Sequence, residues 1–129
     1  MQRLIIDGMN VIGSRPDGWW RDRDGAVRRL VQGLGRHAEA TGARITVVLD
    51  GRPPPDLPEG VHGAVTVSYA TRRGRDAADD RIVELVEADP DPATLEVVTA
   101  DGRLRERVVR LGAAVSGPRA LLACIPPQR

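Results

Sequence analysis

Apolar residues fall along this chain in two alternating rhythms. Leu4, Ile5 and Ile6 form a short unbroken run ending at Asp7, as in a strand buried on both faces, and a strand is expected over 3–7. The polar stretch 8–24, with Gly13, Pro16, Gly18 and a Trp19-Trp20 pair, reads as loop. From about 24 to 41 the rhythm changes. Val27, Leu30, Val31, Leu34 and Ala38 recur at helical spacing, and Gly42 is placed to end the helix. Gly33 and Gly35 argue against that helix, each by about 1 kcal/mol relative to Ala. A second buried strand fits 45–50, a Pro- and Gly-rich loop 51–63, and an alternating strand 65–69. Ile82, Leu85 and Val86 mark a helix over 77–88, broken by Asp89-Pro90-Asp91-Pro92. A fourth strand fits 95–99. Leu104, Val108 and Leu111 mark a helix stopped by Gly112; 113–116 fits a short fifth strand and 118–124 a last helical turn. Residues 126–129 are expected to form a frayed, disordered tail.

The order β, α, β, loop, β, α, β, α, β, α implies α/β architecture: a central, mainly parallel sheet of about five strands, helices on both faces and right-handed crossovers. One domain over 1–125 suits a chain of 129 residues, with no internal repeat. The apolar content of 41% supports a real core, but with no Phe, one Tyr and two Trp it must be built from Val, Leu, Ile and Ala. Every basic residue is Arg, which reads as a high-GC genome bias. Nineteen basic against eighteen acidic residues leave a net charge of +1, too balanced for nucleic-acid binding by bulk charge. Such binding needs a local patch or a partner that delivers the strand. The single cysteine, Cys124, excludes an internal disulfide and argues against a cysteine-based zinc site; a buried structural thiol is expected. The first apolar run is short and meets Asp7, so no signal peptide is expected. Nothing approaches the roughly 20 apolar residues of a membrane span, and the cytoplasm is the expected location.

The candidate chemistry lies in the acids. Asp7 ends a strand, with Gly8 to let the backbone turn and Asn10 to return an amide to the same place. Asp101 follows Val97-Val98-Thr99-Ala100 and precedes a helix, and Asp50-Gly51 repeats the pattern before a Pro-rich loop. Asp76, Asp79 and Asp80 open a helix. Each acid alone fits a cap or turn role. Asp79, however, shares a face with Ile82 and Val86 at the edge of the core, where a carboxylate needs a partner. In open α/β sheets, strand ends and helix starts converge at the carboxyl edge, and several converging carboxylates cannot all stay ionised without a cation. A divalent-metal site doing phosphoryl transfer is therefore the sharper reading, with Asp80 in support. Arg72, Arg73 and Arg75 are either solvated loop charges or phosphate clamps. Trp19, Trp20, Arg21 and Arg23 are either structural or a grip on single-stranded bases. His37 and His62 lack ligand spacing. No Asp-x-Asp follows the first strand, against a haloacid-dehalogenase phosphatase, and neither Gly-x-Gly-x-x-Gly nor Gly-x-x-x-x-Gly-Lys is present.

The segments Ile5-Ile6-Asp7-Gly8-Met9-Asn10-Val11-Ile12, Val47-Val48-Leu49-Asp50, Ala78-Asp79-Asp80-Arg81-Ile82 and Val98-Thr99-Ala100-Asp101 together resemble the NYN domain family, and within it the bacterial YacP-like proteins of the PIN-like nuclease superfamily. The resemblance covers nearly the whole chain, and the Asp-Gly-x-Asn-Val-Ile start is its most specific element. It implies a PIN-like three-layer α/β/α sandwich and a ribonuclease, of the endoribonuclease kind, using one or two Mg2+ or Mn2+ ions on single-stranded RNA such as mRNA. By resemblance, Asp7, Asp79 and Asp101 are the metal-binding acids, Asn10 the signature amide, Asp80 the second acid of its pair, and Asp50 and Asp76 possible supporting acids. Met9 replaces an aromatic common in the family, and Ala100 a Ser or Asn. The near-neutral charge implies weak intrinsic RNA affinity and a presenting partner, and the ribosome is the partner expected. A monomer or weak dimer is expected. The rival reading is a non-catalytic RNA-binding or ribosome-associated module that keeps the acids as helix caps.

Overall fold

A computed structural model describes residues 2–70, 74 and 76–125. Six strands form one sheet: β1 (Arg3–Asp7), β2 (Arg44–Leu49), β3 (Gly60–His62), β4 (Val65–Tyr69), β5 (Leu95–Val98) and β6 (Ala114–Ser116). Their spatial order is β3-β4-β2-β1-β5-β6, parallel throughout except for the antiparallel β3–β4 pair. Five helices join them: α1 (Gly8–Gly13), α2 (Arg23–Thr41), α3 (Ala77–Ala88), α4 (Gly102–Arg110) and α5 (Pro118–Cys124).

The period of two along the strands explains the layers. Leu4 and Ile6 of β1, Val47 and Leu49 of β2 and Val67 of β4 pack on one face with Val27, Leu30 and Leu34 of α2 and Leu121 of α5. Ile5, Val48 and Val97 point to the other face and meet Ile82 and Val86 of α3 and Leu104 and Val108 of α4. With buried side chains on both faces, the central strands require helices above and below, which makes the molecule an α/β/α sandwich. Each fully buried aliphatic side chain here contributes about 1.5–3 kcal/mol.

Two segments differ from expectation. Residues 8–24, expected as loop, begin with α1 and contain a 3-10 turn at Trp19–Arg21. Six residues are too few to show helical periodicity, yet Val11 and Ile12 of α1 are buried. The loop 51–63 ends in β3, an edge strand of three residues whose Val61 lies in solvent, so its sequence carries no burial pattern. The glycines that argued against α2 are partly explained by packing. A Cβ on Gly33 would lie 2.3 Å from Ile125 Cγ2, so the missing side chain makes room for the end of α5. Cys124, expected to be buried, is exposed at that end. The tail 126–129 lies outside the described residues, as do Arg72, Arg73 and Arg75. No described helix is long and apolar enough to cross a membrane.

Candidate active site

The topology selects one place for a ligand. From β1 the chain moves outward through β2 and β4, then returns to the other side of β1 for β5 and β6. The reversal opens a crevice at the carboxyl ends of β1 and β5, where open α/β sheets bind ligands. Asp7 is the last residue of β1, and Thr99-Ala100-Asp101 leads out of β5.

The parallel register pairs Ile6 with Val98, which brings Thr99 level with Asp7. Thr99 is fully buried, and its hydroxyl donates to Asp7 Oδ2 at 2.8 Å. Thr99 Oγ1 also accepts from the Asp101 N–H at 3.1 Å, so one threonine ties both acids to the same turn. Asn10, on α1, reaches the same turn: its Oδ1 accepts from the Ala100 N–H at 2.8 Å. That bond leaves the Asn10 NH2 as the end able to donate to a water or phosphate. Gly8 makes this approach possible. A Cβ there would lie 2.5 Å from Leu49 Cδ2 and 3.0 Å from the Val48 carbonyl oxygen.

Asp79 enters from the first turn of α3, on the side of the helix that carries the buried Ile82 and Val86. Burial, followed by the charges of Asp7, Asp101 and Asp76, pushes its carboxyl from 3.8 up to about 7. Asp7, only 5% exposed, is also raised, chiefly by burial and against the pull of the Thr99 hydrogen bond, with Asp101 and Asp50 adding repulsion. The charges of Asp7, from β1, and Asp101, from the β5–α4 turn, therefore bear on Asp79 of α3, and that of Asp101 bears on Asp7. None of the ion pairs among the described residues involves Asp7, Asp79 or Asp101.

The remaining acids separate by partner. Asp80 turns to Arg107 of α4 at 3.0 Å, which makes it half of a clasp between α3 and α4. Asp50 pairs with Arg23 at 2.9 Å. Asp76 precedes α3 but makes no side-chain cap bond; its charge bears on Asp79 instead. Asp101 does cap α4, accepting from the N–H groups of Arg103 at 2.9 Å and Leu104 at 3.3 Å. Trp19 packs against the core, whereas Trp20 and Arg21 are exposed. Thr99 and Arg107 carry no signal of their own in the sequence: a buried threonine ending a strand and an arginine within a helix are ordinary, and only the fold gives them acid partners.

An all-oxygen donor set suits hard divalent cations. Among the described residues, however, no three acidic, histidine or cysteine side chains stand close enough to form a ready-made cage. The acids converge electrostatically, as a cation site requires, without being drawn in around one.

The sequence profile of the YacP-like NYN domain matches residues 4–127. Two solved structures are similar over 97% of this chain. A crystal structure of a point mutant of Rae1 (YacP) from Bacillus subtilis has 27% identity and a TM-score of 0.78, covering 75% of that chain. The crystal structure of Rae1 (YacP) from Bacillus subtilis has 26% identity and a TM-score of 0.75, covering 74%. No curated protein matches significantly.

Proposed function

This chain belongs to the YacP-like NYN domain family, of PIN-like nuclease fold, and on that premise we propose that it is a metal-dependent endoribonuclease hydrolysing single-stranded RNA. The observation that carries the reading is the meeting of Asp7, Asp79 and Asp101, without a basic partner among the described residues, in the crevice beside β1. Family membership supports nuclease action on RNA; the acids supply the chemistry. Asp7, Asp79 and Asp101 would hold one or two Mg2+ or Mn2+ ions through oxygen ligands. Such an ion lowers the pKa of a bound water and offsets charge building on the phosphoryl oxygens.

The protein's own groups then position and discriminate. Thr99 holds Asp7 in one rotamer and ties it to the Asp101 turn. The Asn10 amide, fixed at its carbonyl end, offers NH2 donors to a phosphate oxygen. Neither His37 nor His62 takes part in the acid cluster. The near-neutral net charge makes intrinsic affinity for RNA weak, so a partner that presents the strand, such as the ribosome, belongs to the proposal.

The rival reading, a non-catalytic RNA-binding module, draws on the cap that Asp101 makes to α4. A cleavage assay separates the two. Single-stranded RNA of mixed sequence is incubated with Mn2+, Mg2+ or EDTA, wild type beside Asp7→Asn and Asp79→Asn. Cleavage that needs the metal and disappears in folded variants supports the nuclease. Retained cleavage in a clean Asp7→Asn preparation defeats the assignment of the acids. RNA binding indifferent to EDTA, with no cleavage, favours the module.

A further inference from the structure

The acid cluster cannot by itself orient a strand of RNA. The segment that follows α1 offers a means. Arg23 opens α2, and its Nη2 donates to Asp50 Oδ1 at 2.9 Å, to the Asp50 carbonyl oxygen, and lies 3.5 Å from Met9 Sδ. Met9 is two residues from Asp7, and the Asp50 charge reaches Asp7. The Arg23 guanidinium therefore sits at the rim of the acid cluster. Its side chain keeps 31% of its surface open. The bonds to Asp50 use Nη2, which leaves Nη1 and Nε each to donate singly to a phosphate oxygen.

Immediately upstream, the 3-10 turn Trp19–Arg21 is pinned at both ends. Trp19 packs into the core, and Asp22 caps α2 by accepting from the Gly25 N–H at 3.1 Å. Trp20, between these anchors, is 61% exposed. Its ring stands at 86° to that of Trp19, and the Arg21 guanidinium carbon lies 5.9 Å from its centroid. A large aromatic held in water on a short, anchored turn, flanked by two arginines, is a stacking surface for an unpaired base. An apolar protein partner would leave the exposed Arg21 without an anion; a polyanion with bases engages both the ring of Trp20 and the charge beside it.

We propose that residues 20–23 form the substrate track of this site: Trp20 stacks an unpaired base while Arg23, steered by Asp50, takes a backbone phosphate at the rim of the acids. Asp50 is then a positioning residue for Arg23 rather than a metal ligand. The proposal rests on the RNA reading above and deepens it.

The test reads binding without cleavage. Fluorescence anisotropy of a labelled single-stranded oligonucleotide is measured in EDTA at low salt. Trp20→Ala is expected to weaken binding about 5- to 150-fold. Arg23→Ala and Arg23→Gln are expected to weaken it and to lower the salt slope by about 0.7. Arg44→Ala, at the opposite end of β2, serves as the control for lost charge. In Trp19→Phe the only remaining indole is Trp20, and its emission should be quenched by RNA. Thermal melts verify that each variant is folded. Unquenched Trp20 emission, losses no larger than that of Arg44→Ala, or no RNA binding by the wild type would each overturn the track. Track-dependent binding without metal-dependent cleavage would keep the track and remove the nuclease. Cleavage by variants that bind normally would do the reverse.

Discussion

At the scale of single residues, the strongest consequence is the titration of Asp79. Its folded value of about 7 lies above the ordinary 3.8. Between those values the native state keeps a proton that the unfolded chain has released. Its contribution to stability is therefore fully present below about pH 4 and is lost as pH rises through 7. Asp79→Asn removes that dependence. In EDTA, the melting temperature of the variant relative to wild type should rise between pH 5 and pH 8, because a neutral amide has no charge to bury and none to set against Asp7 and Asp101. An offset that stays constant with pH would show that neither burial nor these charges keep Asp79 protonated. The main acids were readable because strand ends and helix starts announce themselves. Their partners were not: Arg23 and Arg107 each lie 27 residues from the aspartate they pair with, and nothing in sequence spacing brings them there.

At the scale of elements, the acids depend on how closely α1 and α3 approach the sheet. Gly8→Ala would force a methyl into Leu49 Cδ2 and against the Val48 carbonyl. Overpacking of this kind costs about 1–3 kcal/mol, and α1 should also carry Asn10 off the Ala100 N–H. The expected outcome is a lower denaturation midpoint together with a loss of cleavage larger than the stability change explains; unaltered stability would show that the contact relaxes freely. The Asp80–Arg107 clasp differs. Both side chains are 39% exposed, so the pair is worth about 1 kcal/mol or less. Asp80→Asn should therefore retain most cleavage where Asp79→Asn retains none, and equal losses would restore Asp80 to the catalytic acids. Long periodic elements such as α2 were readable to within a residue or two. α1 and β3 were not, because six and three residues show no period and β3 buries little.

At the scale of the whole molecule, the sequence implied alternation and a parallel sheet but not the order β3-β4-β2-β1-β5-β6, since each crossover can go either way and only packing decides. That order places β1 beside β5, and so Asp7 beside Thr99 and Asp101. The arrangement concentrates negative charge in one crevice of a molecule whose net charge is only +1. Global stability should therefore respond to protons and divalent cations together. A cation that binds only the folded state stabilises it by RT ln(1 + [M]/Kd), about 1.4 kcal/mol at ten times Kd, or roughly 5 °C in Tm for a chain of this size. Protons occupy the same carboxyl on Asp79 below about pH 7, so they compete with the cation. The rise in Tm produced by Mn2+ or Mg2+ should be largest at pH 8, shrink towards pH 5 and vanish in Asp79→Asn. Calorimetric scans at the two pH values, with and without metal, measure this directly. A metal-induced rise equal at both pH values, or undiminished in the variant, would place the cation somewhere other than among these acids.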